Sequence, residues 1–124
     1  MSVRFAGYVA VFDVPDRGGD VVRRGAFGRV SAVPLLWQHG GKPIGTVERL
    51  AADRRGLRVV ARVEEPQLAA AVARGAVTGL SFGYRVTEAE AGPHREIKGL
   101  QLLEISLVAS PMQPLARVHA VAAD

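Results

Sequence analysis

Leu57-Arg58-Val59-Val60-Ala61-Arg62-Val63 is the stretch on which the fold turns. Leu57, Val59, Ala61 and Val63 alternate with Arg58, Val60 and Arg62, the two-residue period of a strand with one buried face. The pattern then changes at once. Pro66 opens Gln67-Leu68-Ala69-Ala70-Ala71-Val72-Ala73-Arg74, a run of strong helix formers that Gly75 ends. Proline suits a first helical turn, where its missing N–H would have no partner anyway, and glycine suits the left-handed position just past a helix. This is the one clear helix in the chain.

Outward from there, the periodic segments read as strands. Residues 3–12, 33–39, 44–50, 77–87, 97–103 and 105–109 are rich in apolar and β-branched side chains. Residues 21–22 read as a short strand, 25–30 as a single helical turn, and 117–124 as a final strand. Turn chemistry separates them: 13–20, Gly40-Gly41-Lys42-Pro43, Asp53-Arg54-Arg55-Gly56 and Gly92-Pro93, with Pro111 and Pro114 breaking the chain later. The expectation is roughly six to eight strands without repeated βαβ units, which excludes a doubly wound parallel sheet. A mainly β protein follows, a small antiparallel β-barrel with flanking helices, in a single domain over residues 1–124.

The 124 residues suffice for one core without staples, and there is no cysteine for disulfides or thiolate metal sites. The first residues lack the pattern of a secretory signal, and no apolar run approaches a membrane span. The net charge is +4, from 16 basic and 12 acidic residues. The arginines are scattered singly or in pairs, so nucleic acid is not the expected partner, whereas an acidic partner or scaffold is a natural one. Asp13, Asp16 and Asp20 form an acidic loop, but their spacing lacks the other ligands of a calcium loop, so neither a metal nor another cofactor is expected.

Three stretches place one polar, reactive side chain inside an apolar segment: Trp37-Gln38-His39-Gly40, Leu80-Ser81-Phe82-Gly83-Tyr84 and Leu103-Glu104-Ile105-Ser106-Leu107-Val108. They supply a histidine, a serine and a carboxylate, the set needed when a serine attacks an acyl group, a histidine takes its proton and an acid orients the histidine. Each also has a plain structural explanation. His39 could be a turn residue, Ser81 a small residue at a tight bend, and Glu104 a strand-end charge. Ser106 also interrupts an apolar segment; it reads as a packing residue or a partner for backbone groups, outside the pocket.

The ordered set resembles the prohead maturation proteases of tailed bacteriophages, relatives of the herpesvirus assemblins. The matching stretches are Gly7-Tyr8-Val9-Ala10-Val11-Phe12-Asp13, Gly19-Asp20-Val21-Val22 with Gly25-Ala26-Phe27, Pro34-Leu35-Leu36-Trp37-Gln38-His39, Ile44-Gly45, and the two segments around Ser81 and Glu104, ending at Pro111. The resemblance covers nearly the whole chain. It implies a herpesvirus-assemblin-like barrel and a serine endopeptidase working through an acyl-enzyme. By resemblance, Ser81 is the nucleophile, His39 the base and Glu104 the acid, with His119 or His94 as rival third members because herpesvirus relatives use a second histidine. Arg85 and Arg117 are candidates for assisting roles.

The implied substrates are the major capsid protein and its scaffolding segment, with self-cleavage and homo-oligomerisation as further expectations. The implied place of action is the host cytoplasm, inside the assembling prohead. The alternative is a non-catalytic capsid-assembly module of the same fold.

Overall fold

The computed structural model describes residues 2–123. Eight strands and one helix follow in the order β1 (Val3–Val11), β2 (Asp20–Val22), β3 (Leu35–Trp37), β4 (Gly40–Ala52), β5 (Gly56–Val63), α1 (Pro66–Ala73), β6 (Gly79–Glu90), β7 (Arg95–Val108) and β8 (Val118–Ala123). The alternation in β5 becomes an alternation in burial: Leu57, Val59, Ala61 and Val63 are fully buried. They pack with Val3, Phe5, Leu35, Leu80, Ile105 and Leu107 in one core.

The helix starts where proline and its cap place it. The Glu65 carboxylate accepts from the N–H groups of Gln67 and Leu68, satisfying two donors that have no partner within the helix. Gly75 follows the helix at φ 77°, a left-handed conformation that costs glycine little. Ala69 and Val72 face the core. Among the described residues, no helix is long and apolar enough to cross a membrane.

The strands form one sheet in the order β2-β7-β3-β4-β5-β1-β8, with β6 paired to the free side of β7. Four features differ from the expectation. First, the sheet is not a closed barrel. Between β6 and the chain entering β8 there is only an isolated bridge, Gly79 to Arg117, flanked by Leu80 N–H to the Ala116 carbonyl and Val118 N–H to the Thr78 carbonyl. Pro111 and Pro114 lie in that covering segment and have no N–H to extend a ladder. Second, one helix is present among the described residues, not several; residues 24–27 form only hydrogen-bonded turns.

Third, the sheet is not wholly antiparallel: β2 and β3 run parallel to β7 and pair with successive parts of one of its edges. Fourth, residues 97–109 are not two strands. β7 runs unbroken through Glu104, because β6 pairs with it continuously apart from bulges. The final strand is present as β8, while Asp124 and Met1 lie outside the described residues.

Candidate active site

His39 sits in a hairpin turn, not at the end of a strand. Trp37 pairs with Gly40, leaving Gln38 and His39 as a two-residue loop with φ of 52° and 62°. Both central residues of such a hairpin turn need positive φ, which normally selects glycine or asparagine. The sequence instead marks Gly40-Gly41-Lys42-Pro43 as the turn, but those residues open β4. Holding two non-glycine residues there costs on the order of 1–3 kcal/mol each. Three hydrogen bonds to one neighbouring segment offset this cost. Gln38 N–H donates to the Leu107 carbonyl (3.0 Å), Ala109 N–H donates to Gln38 Oε1 (2.8 Å), and His39 N–H donates to Ser106 Oγ (3.0 Å).

The turn aims the imidazole at β7, where His39 Nδ1 meets Glu104 Oε1. The Glu104 side chain is mostly enclosed, 12% exposed against 43% for His39. The other carboxylate oxygen, Oε2, accepts from Ser106 Oγ at 2.6 Å. Ser106 is fully buried. A closed ring results: the His39 backbone donates to Ser106, Ser106 donates to Glu104, and Glu104 receives the His39 ring. One buried serine thus fixes both the backbone and the acid partner of the histidine.

Glu104 and Ser106 are two residues apart in one strand and therefore share a face. The spacing Glu-x-Ser carries this signal in the sequence. Ser106 stands opposite Ser81, and Glu104 opposite Gly83, in the β6–β7 ladder. Directly paired residues project to the same side, so Ser81, Glu104 and Ser106 form one outer-face patch. A Cβ at Gly83 would lie 2.4 Å from Glu104 Oε1, so the absence of a side chain there makes room for the carboxylate.

Ser81 is 8% exposed. Among the described residues its hydroxyl makes no hydrogen bond, to His39 or to any other group. It borders a cavity with Leu80, Phe82, Tyr84, Met112, Gln113 and the loop residues Asp16, Gly18 and Asp20. That cavity does not include His39 or Glu104; Glu104 lies two residues along the ladder from Ser81, opposite Gly83. Burial first, then the charges of Asp20 and Asp16, push the Tyr84 hydroxyl up from its ordinary value. Gln113 fixes the covering segment with two bonds to the Val11 backbone, accepting from N–H at 2.7 Å and donating to the carbonyl at 3.3 Å.

The rival residues lie elsewhere. His94 is exposed in the β6–β7 turn. His119 packs against Tyr8, ring centroids 5.9 Å apart. Arg85 bonds to Gln101, while Arg117 donates to the Pro114 carbonyl and the Thr78 hydroxyl. The acidic loop is committed internally: Asp13 pairs with Arg23, Asp20 pairs with Arg95, and Asp16 accepts the N–H groups of Gly18 and Asp20.

The architecture is similar to that of solved herpesvirus proteases. A Kaposi's sarcoma-associated herpesvirus (KSHV) protease in complex with a hexapeptide phosphonate inhibitor superposes with a TM-score of 0.62 at 13% identity, over 100% of this chain and 66% of that one. Varicella-zoster virus protease gives 0.61 at 15%, over 100% and 65%. The prohead protease of Enterobacteria phage HK97 is 31% identical over 133 residues, covering 94% of this chain and 59% of the relative. The chain thus spans about three fifths to two thirds of these proteins' lengths. The family model described as caudovirus prohead serine protease matches residues 1–124, and the chain belongs to that family.

Proposed function

We propose that residues 1–124 form a serine endopeptidase domain that processes capsid or scaffold protein during prohead maturation, with Ser81 as nucleophile, His39 as base and Glu104 as orienting acid. The observation that carries this reading is the His39–Glu104 contact, locked by Ser106 on the face that Ser81 shares. A carboxylate on Nδ1 holds the tautomer in which Nε2 is free to accept a proton, and it stabilises the imidazolium formed. In the reaction, Ser81 Oγ bonds to the substrate carbonyl carbon while its proton passes to His39 Nε2. That proton then goes to the leaving amine as the C–N bond breaks. Water activated by the same nitrogen releases the acyl group and restores the serine. Serine–histidine hydrogen bonds are often unformed before substrate arrives, so a free Ser81 hydroxyl is compatible with this role.

The open edge of β6 supports binding of an extended peptide. Leu80 N–H and the Thr78 carbonyl point away from β7, toward residues 116–118. By the alternation of strand backbones, Phe82 presents its N–H and carbonyl in the same direction, beyond the last bridge. A substrate strand added there would lie beside Ser81 with its main chain paired. The expected substrates are the major capsid protein and its scaffolding segment, cleaved inside the assembling prohead in the host cytoplasm. The chain itself and a second copy are further candidates for substrate and partner.

The test is covalent labelling with a fluorophosphonate, with the adduct located by mass spectrometry, together with processing of capsid protein. Labelling at Ser81, lost in His39→Ala, and loss of processing in a folded Ser81→Ala variant are the expected results. Processing unchanged by Ser81→Ala would sink the assignment. Binding of capsid protein without labelling or processing would favour the non-catalytic assembly module.

A further inference from the structure

A second cluster lies on the same outer face as Ser81. Tyr8, Arg55, Arg58, Arg117 and His119 line one pocket, with Leu115 at its side. The groups are arranged, not merely near one another. Arg55 lies over the Tyr8 ring at 5.2 Å from its centroid, and His119 packs against the same ring. Tyr8 pairs directly with Arg58 across β1 and β5. Arg117 is pinned by the Pro114 carbonyl and the Thr78 hydroxyl, both 3.0 Å away.

The charge of this pocket is largely uncompensated. Several cations elsewhere are matched: Arg4 with Glu48, Arg23 with Asp13 and Glu96, Arg95 with Asp20, and Lys98 with Glu90. Exposed ones such as Arg24 and Arg29 form no ion pair among the described residues but do not converge on a pocket. Arg55, Arg58 and Arg117 form no ion pair among the described residues. Asp53, at the edge of the pocket, accepts the Tyr8 hydroxyl and the N–H groups of Arg55 and Gly56. One carboxylate thus stands against three guanidinium groups and a histidine.

Register places this pocket relative to Ser81. Gly79 bridges to Arg117, and Gly79 has the same parity in β6 as Ser81. Two residues along the strand and one strand across put Arg117 about 8 Å from Ser81 between Cα atoms. A polypeptide whose scissile bond lies at Ser81 reaches the pocket within a few residues. We propose that the Tyr8–Arg55–Arg58–Arg117–His119 pocket is a subsite for acidic side chains of the polypeptide substrate. This rests on the reading of Ser81 as the nucleophile. A peptide fits better than nucleic acid, because the arginines next along this face, Arg4 and Arg62, are paired with Glu48, and the Tyr8 face is already occupied by Arg55.

The test uses the full chain carrying Ser81→Ala and fluorescence anisotropy with labelled octa-glutamate, octa-glutamine and oligo-dT. Octa-glutamate should bind about tenfold or more tightly than octa-glutamine, and the preference should fall away at high salt. Arg55→Glu/Arg58→Glu should abolish the preference. Arg24→Glu/Arg29→Glu, with the same charge change outside the pocket, should keep affinity within about twofold. Arg58→Gln alone, expected to weaken octa-glutamate severalfold, serves if the double variant fails to fold.

Equal binding of the two peptides, equal loss in both double variants, or tighter binding of oligo-dT than of octa-glutamate would overturn the subsite. The parent chain with Ser81 intact is labelled with fluorophosphonate in parallel. Labelling with no peptide preference defeats the subsite alone. Peptide preference with no labelling defeats the nucleophile assignment, and with it the role in substrate binding.

Discussion

Ser81 stands directly opposite Ser106 across the β6–β7 ladder, so the two serines leave the same face of the sheet. One is buried in hydrogen bonds to Glu104 and the His39 backbone; the other has a free hydroxyl beside a cavity. The pairing sets two chemically identical side chains apart: Ser106 ties the His39 backbone to the Glu104 carboxylate, and under the proposed mechanism Ser81 is the one left to react.

Replacing the acid by its amide tests the orienting role. Glu104→Gln keeps the size but replaces one of the two acceptor oxygens by a donor and loses the charge that stabilises an imidazolium. Peptide-cleavage kcat should fall by ~10⁴, the scale known for such a change in a serine-protease triad. His94→Gln should leave kcat unchanged. Steady-state kinetics on both variants checks this, and an unaffected Glu104→Gln would remove Glu104 from the mechanism.

Ser106→Ala should act through Glu104 and His39. It leaves the His39 N–H and Glu104 Oε2 without their partner, a loss of about 1–3 kcal/mol in stability by urea denaturation. The distinguishing readout is catalytic: kcat should drop about tenfold to a hundredfold with KM nearly constant, because no substrate contact is lost. The downfield proton resonance of the His39 ring should also broaden or disappear. A change in stability alone would make Ser106 a packing residue.

Gly83→Ala should separate activity from folding. The new Cβ would lie 2.4 Å from Glu104 Oε1. The end of a glutamate side chain can move, so the thermal midpoint should change little. Moving it breaks the contact with His39, and kcat should fall about a hundredfold, a misplacement effect. Wild-type activity in Gly83→Ala would show that the position of the carboxylate is not critical.

The Tyr8–Asp53 contact predicts how stability responds to pH. The Tyr8 hydroxyl, then the N–H groups of Arg55 and Gly56, hold the Asp53 carboxyl below its ordinary value of 3.8. A depressed folded-state value means stability that is fully present above 3.8 and lost as pH falls through that lower value. The Asp53 hydrogen bond, chiefly, raises the Tyr8 hydroxyl above 10.0. Its contribution is present below 10.0 and lost as pH rises through the raised value. Urea midpoints of Asp53→Asn against the parent chain should differ at neutral pH and converge in acid. A constant difference at all pH values would disprove the linkage.

The sequence on its own determined the family, the β5 strand pattern and the bounds of the one helix. The two-residue alternation of Leu57 to Val63, the Pro66 start and the Gly75 stop are local signals, legible without any partner. The ordered motifs around His39, Ser81 and Glu104 were legible for the same reason. What tertiary structure decided was pairing. His39 and Glu104 are 65 residues apart, and their meeting depends on β3 lying parallel to β7 and on the register of that ladder. The turn fell on Gln38-His39 instead of Gly40-Gly41 because three hydrogen bonds from the β7 strand and the residue after it outweigh local turn preference. Ser106 was legible only as sharing a face with Glu104, whereas Gly83 and the cationic pocket were unreadable from the chain because each takes its meaning from a neighbouring strand, and period-two alternation cannot say which strand lies alongside.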